Sequence, residues 1–213
     1  MLFNFLKRRH FIALAASALI PGFARAQKPA TILVLGDSLS AEYGLKRGTG
    51  WVALMERRLA GEKISAKVVN ASISGETTSG GKSRVAALVK AHQPTHVIVS
   101  LGGNDALRGL PLTMTEANLT DMVKTSLAIN AKVLLVGIQV PPNYGSDYTT
   151  RFAAVFDKVA KAQKVPLVPF LLKGVADGPD AMKMFKPDRI HPLEAAHPIM
   201  LDTIWAEFSK MIK

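Results

Sequence analysis

Five short apolar runs, each separated from the next by a stretch of helical periodicity, constrain this chain more than any other feature. The runs are TILVL (31–35), KVVNA (67–71), HVIVSL (96–101), KVLLVGI (132–138) and VPLVPF (165–170). They are rich in β-branched residues and continuous rather than alternating, as strands covered on both faces must be. Between them lie WVALMERRLA (51–60), GKSRVAALVKAHQ (81–93, stopped by Pro94), TEANLTDMVKTSLAIN (115–130) and DYTTRFAAVFDKVAKAQK (147–164). The third takes Thr113 or Thr115 as its cap. The fourth sets Phe152, Val155, Phe156 and Val159 at helical spacing, and AAHPIMLDTIWAEFSKMI closes the chain as a final helix. Strand, helix, strand, repeated, predicts an α/β fold: a parallel sheet with helices on both faces. Right-handed crossovers then bring every strand's C-terminal end to one edge, where ligands bind near the reversal of strand order.

The first 26 residues are a separate object. MLFNFLKRRHFIALAASALIPGFARA has a basic cluster (Lys7, Arg8, Arg9), an apolar stretch from Phe11 to Ile20, a Pro-Gly break and a small-x-small end at Ala24-Arg25-Ala26. This is the pattern of a secretory signal peptide. Its apolar stretch is shorter than the ~20 residues that cross a bilayer, and no other stretch is long enough. Arg8-Arg9-His10-Phe11-Ile12 also looks like a twin-arginine export signal. The expected organisation is a leader, 1–26, and one domain, 27–213, periplasmic or secreted and not stably inserted in a membrane. The leader carries four of the 27 basic residues and no acid, which leaves 23 against 16 and a charge of +7 for the remainder. Those basic residues are scattered and not interleaved with aromatics, so nucleic acid is not an expected partner. There is no cysteine, hence no disulfide framework, thiolate metal site or cysteine nucleophile.

Polar, glycine-marked segments follow the apolar runs. The first run ends in Gly36-Asp37-Ser38, the second in NASISGE (70–76), the third in Gly102-Gly103-Asn104-Asp105, and near the C-terminus stands Asp188-Arg189-Ile190-His191-Pro192. Each alone is ordinary turn chemistry; together, at one sheet edge, they fit acyl transfer. A serine hydroxyl needs a base, histidine titrates near neutral pH, and the histidine needs a carboxylate to fix its tautomer. Asp188 and His191, three apart, lie on one side of a single turn, and Pro192 is placed to begin the final helix. A tetrahedral intermediate needs donors: the Gly75 N–H, approachable because glycine has no side chain, the Asn104 amide, and the Ser38 N–H at the start of a helix. The signature G-x-S-x-G is absent.

The four segments resemble the four sequence blocks of the GDSL, or SGNH, hydrolases: GDSLS (36–40), Gly75 within NASISGET, GGND (102–105) and DRIHP (188–192). Within that superfamily the chain is most similar to the periplasmic bacterial arylesterase, thioesterase and lysophospholipase group, on VVNASISGETTSGG, LGGNDALRGLP and PPNYG. The resemblance implies a flavodoxin-like three-layer α/β/α sandwich on five parallel strands. It implies Ser38 as nucleophile, His191 as base, Asp188 as its orienting acid, and Ser38 N–H, Gly75 N–H and Asn104 as the oxyanion hole. It also implies that Glu76–Gly81 shifts on substrate binding, that the substrates are short- to medium-chain acyl esters, thioesters and lysophospholipids, and that neither cofactor nor metal is used. Leu107, Pro142 and Tyr144 are the candidates to line the acyl groove. Nothing in this reading calls for a partner chain, and a monomer is compatible with it.

Two positions depart from the family pattern. Glu42 stands where relatives usually have glycine, close enough to the nucleophile to alter the pocket entrance. His197 stands where relatives more often have glutamine, and with Glu194 it forms a second acid–histidine pair at the same spacing as Asp188 and His191. His92 and His96 flank the third run on the wrong edge and are expected at the surface. Asp37 and Asp105 are expected to brace their loops by accepting backbone hydrogen bonds. Two rivals keep the fold: a carbohydrate O-deacetylase with the same triad, for which Tyr43, Trp51 and Tyr144 are the few aromatics near the cleft, and a non-catalytic binding module, which would leave the nucleophile, base and acid without a use.

Overall fold

A computed structural model describes residues 29–212; the expected leader lies outside them. Five strands form one sheet, every pairing parallel, in the order β2-β1-β3-β4-β5. They are β1 (Ala30–Gly36), β2 (Ala66–Asn70), β3 (His96–Ser100), β4 (Lys132–Val136) and β5 (Leu167–Val168). The helices are α1 (Trp51–Gly61), α2 (Thr78–His92), α3 (Gly103–Leu107), α4 (Leu112–Leu127), α5 (Ser146–Gln163) and α6 (His197–Ile212). Among the described residues, no helix is long and apolar enough to cross a membrane.

The continuous apolar runs are explained by two cores. Along β1, Leu33 and Leu35 face one side and Ile32 and Val34 the other, all fully buried. The first core packs β1, β3 and β4 against α2, α4 and α5, through residues such as Val85, Leu119, Met122, Phe152 and Phe156. The second packs the opposite face against α1 and α6, through Trp51, Met55, Leu59, Ile204 and Phe208. This is the three-layer sandwich. The chain leaves β1 toward β2 on one side and returns to β3 on the other, so the switch point falls between the C-terminal ends of β1 and β3.

Several local expectations are corrected. The run 165–170 yields a strand of only two residues, because Pro166 and Pro169 bracket it and neither has an N–H to donate. Helix α4 starts three residues earlier than expected and has no side-chain cap; the Thr115 hydroxyl instead donates to Asp105. Pro192 does not open the final helix. It forms an antiparallel bridge with Phe185, and α6 begins at His197 after a 3₁₀ turn, Glu194–Ala196. His96 is buried rather than exposed, because both ring nitrogens find partners: Nδ1 meets Thr95 Oγ1 at 2.8 Å and Nε2 meets the Met211 carbonyl at 3.2 Å. It thereby ties β3 to the end of α6, and burial lowers its pKa.

Candidate active site

Four segments meet at the C-terminal edge of the sheet. After β1 the chain turns at once: the Asp37 carbonyl accepts from Ser40 N–H and Ala41 N–H. Ser38 sits in a run of turns that extends to Gly44, not at the start of a helix as expected, since α1 begins only at Trp51. The loop after β2 is stitched back to β1 by Ile73 N–H donating to the Gly36 carbonyl (3.0 Å). It then reaches Gly75 at φ +78°, a left-handed conformation that glycine adopts without penalty. After β3, Gly102 turns the chain into the single turn of α3, which carries Asn104, Asp105 and, four residues after Asn104, Arg108 at its C-cap.

His191 arrives on a short hairpin closed by the Phe185–Pro192 bridge and by Lys186 N–H donating to the His191 carbonyl (2.8 Å). Within it, Asp188 Oδ1 accepts the backbone N–H groups of Ile190 and His191, each at 2.9 Å, while Asp188 Oδ2 lies 2.8 Å from His191 Nδ1. The His191 and Ile190 backbone N–H groups, then the His191 side chain, hold the Asp188 pKa down to about 2. An ionised carboxylate only accepts, so the ring proton belongs on Nδ1 and Nε2 is left as an acceptor. That nitrogen lies 3.0 Å from Ser38 Oγ, across 153 residues of sequence. Asp188, His191 and Ser38 therefore form one unbroken hydrogen-bonded line.

The three sequence-predicted donors surround the same serine loop. Ser38 N–H and Gly75 N–H donate to no acceptor among the described residues. The Asn104 amide is committed: Nδ2 donates to the Glu76 carbonyl (3.0 Å) and, more loosely, to Asp37 Oδ2 (3.4 Å). An amide NH₂ has two hydrogens, so Asn104 gains a free donor only when one of these contacts opens. Asp37 is buried and also accepts Leu39 N–H (3.0 Å). Burial raises its pKa to about 6, against the Leu39 hydrogen bond and the nearby His191. Asp105, fully buried, accepts from Thr78 N–H (2.9 Å), from the Thr78 hydroxyl and from the Thr115 hydroxyl (3.2 Å), which locks the start of α2 to α3. Leu107 and Tyr144 are exposed, Leu107 at the end of α3 and Tyr144 in the 3₁₀ turn Pro142–Tyr144 after β4.

The two departures from the family pattern sit together at the start of α1. The Glu42 side chain is engaged by its own loop. Its carboxylate accepts the N–H groups of Gly48 (3.0 Å) and Gly50 (2.8 Å) and closes the 42–50 loop on itself. A side chain at Gly50 would lie 2.7 Å from Glu42 Cγ. Glu42 itself holds φ +59°, where glycine is at ease. The next backbone donor, Trp51 N–H, goes to His197 Nδ1 at 3.1 Å. His197 is thus a buried acceptor at a helix start, with no carboxylate on its ring, and burial lowers its pKa to about 4.

Three basic side chains at the site escaped sequence reasoning. Arg108 Nη2 donates to the Gly75 carbonyl (2.9 Å), and its i, i+4 offset from Asn104 was the available signal. Arg84 clamps Glu76, Nη2 to Oε2 at 2.6 Å, and also binds the Ala71 carbonyl (3.1 Å). Lys186 Nζ reaches the Tyr43 carbonyl at 2.8 Å, a contact with no local signature.

The chain resembles known enzymes over most of its length. Residues 34–199 match the model of the GDSL-like lipase/acylhydrolase family. It is 46% identical to esterase TesA of Pseudomonas aeruginosa over 85% of this chain and 89% of that one. It is 40% identical to thioesterase 1/protease 1/lysophospholipase L1 of Escherichia coli K12, over 88% of each. The crystal structure of the psychrotrophic esterase EstA from Pseudoalteromonas sp., inhibited by monoethylphosphonate, superimposes with a TM-score of 0.79 at 39% identity, over 85% of this chain and 97% of that one. On the fold, the four segments at one sheet edge and these matches, the chain belongs to the GDSL-like lipase/acylhydrolase family of ester hydrolases.

Proposed function

We propose that the chain is an exported serine esterase that cleaves aryl and short- to medium-chain acyl esters, thioesters and lysophospholipids through an acyl-enzyme. The observation that carries this is the line from Asp188 Oδ2 through His191 to Ser38 Oγ, with links of 2.8 and 3.0 Å. Ser38 Oγ attacks the acyl carbon as its proton passes to His191 Nε2. Asp188 stays ionised and balances the imidazolium. The carbonyl oxygen, now negative, is received by the N–H groups of Ser38 and Gly75 and by the Asn104 amide once the Glu76 carbonyl has moved off it. Collapse of the intermediate expels the alcohol or thiol, which takes the proton from Nε2. Water then repeats the sequence, and the acid and Ser38 are released.

The acyl group is assigned to the side of the site bounded by Leu107 and the Pro142–Tyr144 turn. Residues 1–26 are assigned to a cleaved leader and 27–213 to the mature domain. The names of the relatives, an esterase and a thioesterase/lysophospholipase, favour acyl esters over sugar acetates. The test is a chain-length series of p-nitrophenyl acyl esters, run beside acetylated sugars with wild type and Ser38→Ala. Hydrolysis of the acyl esters that vanishes in the variant is expected. Activity on the sugars alone, or activity that survives Ser38→Ala, would overturn the reading.

A further inference from the structure

The nucleophile and the base stand on different loops. Ser38 follows β1 directly, but His191 rides on a hairpin outside the sheet, with exposed residues on either side of Asp188. The backbone bonds of each loop are internal: Lys186 to His191 in one, Asp37 to Ala41 in the other. The 3.0 Å approach of Nε2 to Oγ therefore depends on side chains that cross between them.

Three such contacts are present, and they converge. Lys186 leaves the base hairpin and donates to the backbone carbonyl of Tyr43, five residues after the nucleophile, at 2.8 Å. The Tyr43 ring returns the contact: its centroid lies 4.5 Å from that of the His191 imidazole, tilted by 41°. Lys186 Nζ also lies 5.5 Å from the centroid of the same ring. The neighbouring Gly44 takes φ +63°, and any side chain there would collide with Lys186 Nζ. Glu42, on the other side of Tyr43, holds the 42–50 loop in shape through Gly48 and Gly50.

We propose that Tyr43 and Lys186 are positioning residues for His191: together they strap the base hairpin to the nucleophile loop and set the attitude of the imidazole toward Ser38. The hydrogen bonds at Nδ1 and Nε2 fix two points of the ring but leave rotation about the line joining them. The Tyr43 face removes that freedom. It also offers its π-electrons to the imidazolium that forms as Ser38 attacks. Tyr43 is half exposed (51%), so it is not a core residue held only for stability.

This inference rests on the triad reading above and is tested separately from it. Tyr43→Leu is expected to lower kcat by about tenfold with KM within about twofold, since misplacement of a reacting group acts on the chemical step. The same factor is expected for acetyl and octanoyl esters and for the rate of phosphonylation of Ser38 by a small fluorophosphonate. Tyr43→Phe keeps the ring and should retain wild-type kcat. Lys186→Met should lower kcat by about threefold or more, and Lys186→Arg, which keeps a donor, should restore it. Unchanged kcat in both Tyr43→Leu and Lys186→Met would overturn the proposal. So would an effect confined to KM that grows with acyl length, which would make Tyr43 a substrate contact. If thermal melting shows Tyr43→Leu unfolded, the Lys186 pair decides. A wild type inert toward every ester and toward the fluorophosphonate would instead sink the triad reading itself.

Discussion

At the scale of single residues, two histidines stand in opposite conditions, one in the site and one at the start of a helix. His191 has a carboxylate on one nitrogen and a hydroxyl on the other; His197 has a backbone donor on Nδ1 and is sealed from solvent. Asp188→Asn is expected to lower kcat by roughly 10⁴-fold, because an amide can present its NH₂ to Nδ1 and leave the proton on the wrong nitrogen; steady-state kinetics at neutral pH would measure it. His197 makes a different prediction. Its folded pKa, lowered by burial to about 4, lies below the ordinary 6.5, so the folded state resists a proton that the unfolded chain accepts. The unfolded state therefore binds more protons between about pH 6.5 and 4, and this histidine's contribution to stability falls as pH drops through that window. The loss is on the order of 2–3 kcal/mol. His197→Gln keeps an acceptor for Trp51 N–H but does not titrate, so urea unfolding at pH 4.5 and 7.5 should show a smaller acid loss for the variant than for wild type. Equal losses would remove His197 as the cause. That Ser38, Asp188 and His191 would meet was legible in the sequence because each lies in a short, chemically distinctive segment. Lys186 was not, because a lysine that binds a carbonyl 143 positions away leaves no local pattern.

At the scale of elements, the strands were more legible than the caps. The continuous runs of β1, β3 and β4 could only be buried on both faces, and they are. Boundaries failed where a polar side chain had a distant partner: Thr115 looked like a helix cap but serves Asp105, and His96 looked exposed but has both nitrogens satisfied in the interior. The place where α2 crosses the sheet gives a sharp test. A side chain at Gly81 would collide with Leu101 Cδ1 and would lie 2.9 Å from Met122 Sδ. Gly81→Ala would raise helix propensity at an open site, yet here it should destabilise by about 1–3 kcal/mol through overpacking. It should also lower kcat, since α2 starts at the loop that bears Gly75. Chemical denaturation and steady-state kinetics of the same preparation would check both effects.

At the scale of the whole molecule, the doubly wound sheet does one thing for function: it carries loops from β1, β2 and β3 to a common edge, where the hairpin before α6 meets them. Sequence alone gave the order of those four segments and the side of the sheet they share. It did not give the commitment of the Asn104 amide to Glu76, a contact between two loops that is visible only in three dimensions. The domain reading makes its own prediction: expressed in full in a bacterium, the exported protein should begin at Gln27 by intact mass, and retention of residues 1–26 would contradict a cleaved leader. The most direct test of the catalytic reading is a single labelling experiment. The chain from Gln27 is treated with a fluorophosphonate at neutral pH and digested, and the adduct is located by mass spectrometry. One adduct on Ser38, abolished by His191→Ala, is the expected result; no adduct, or an adduct on another residue with Ser38 untouched, would contradict it.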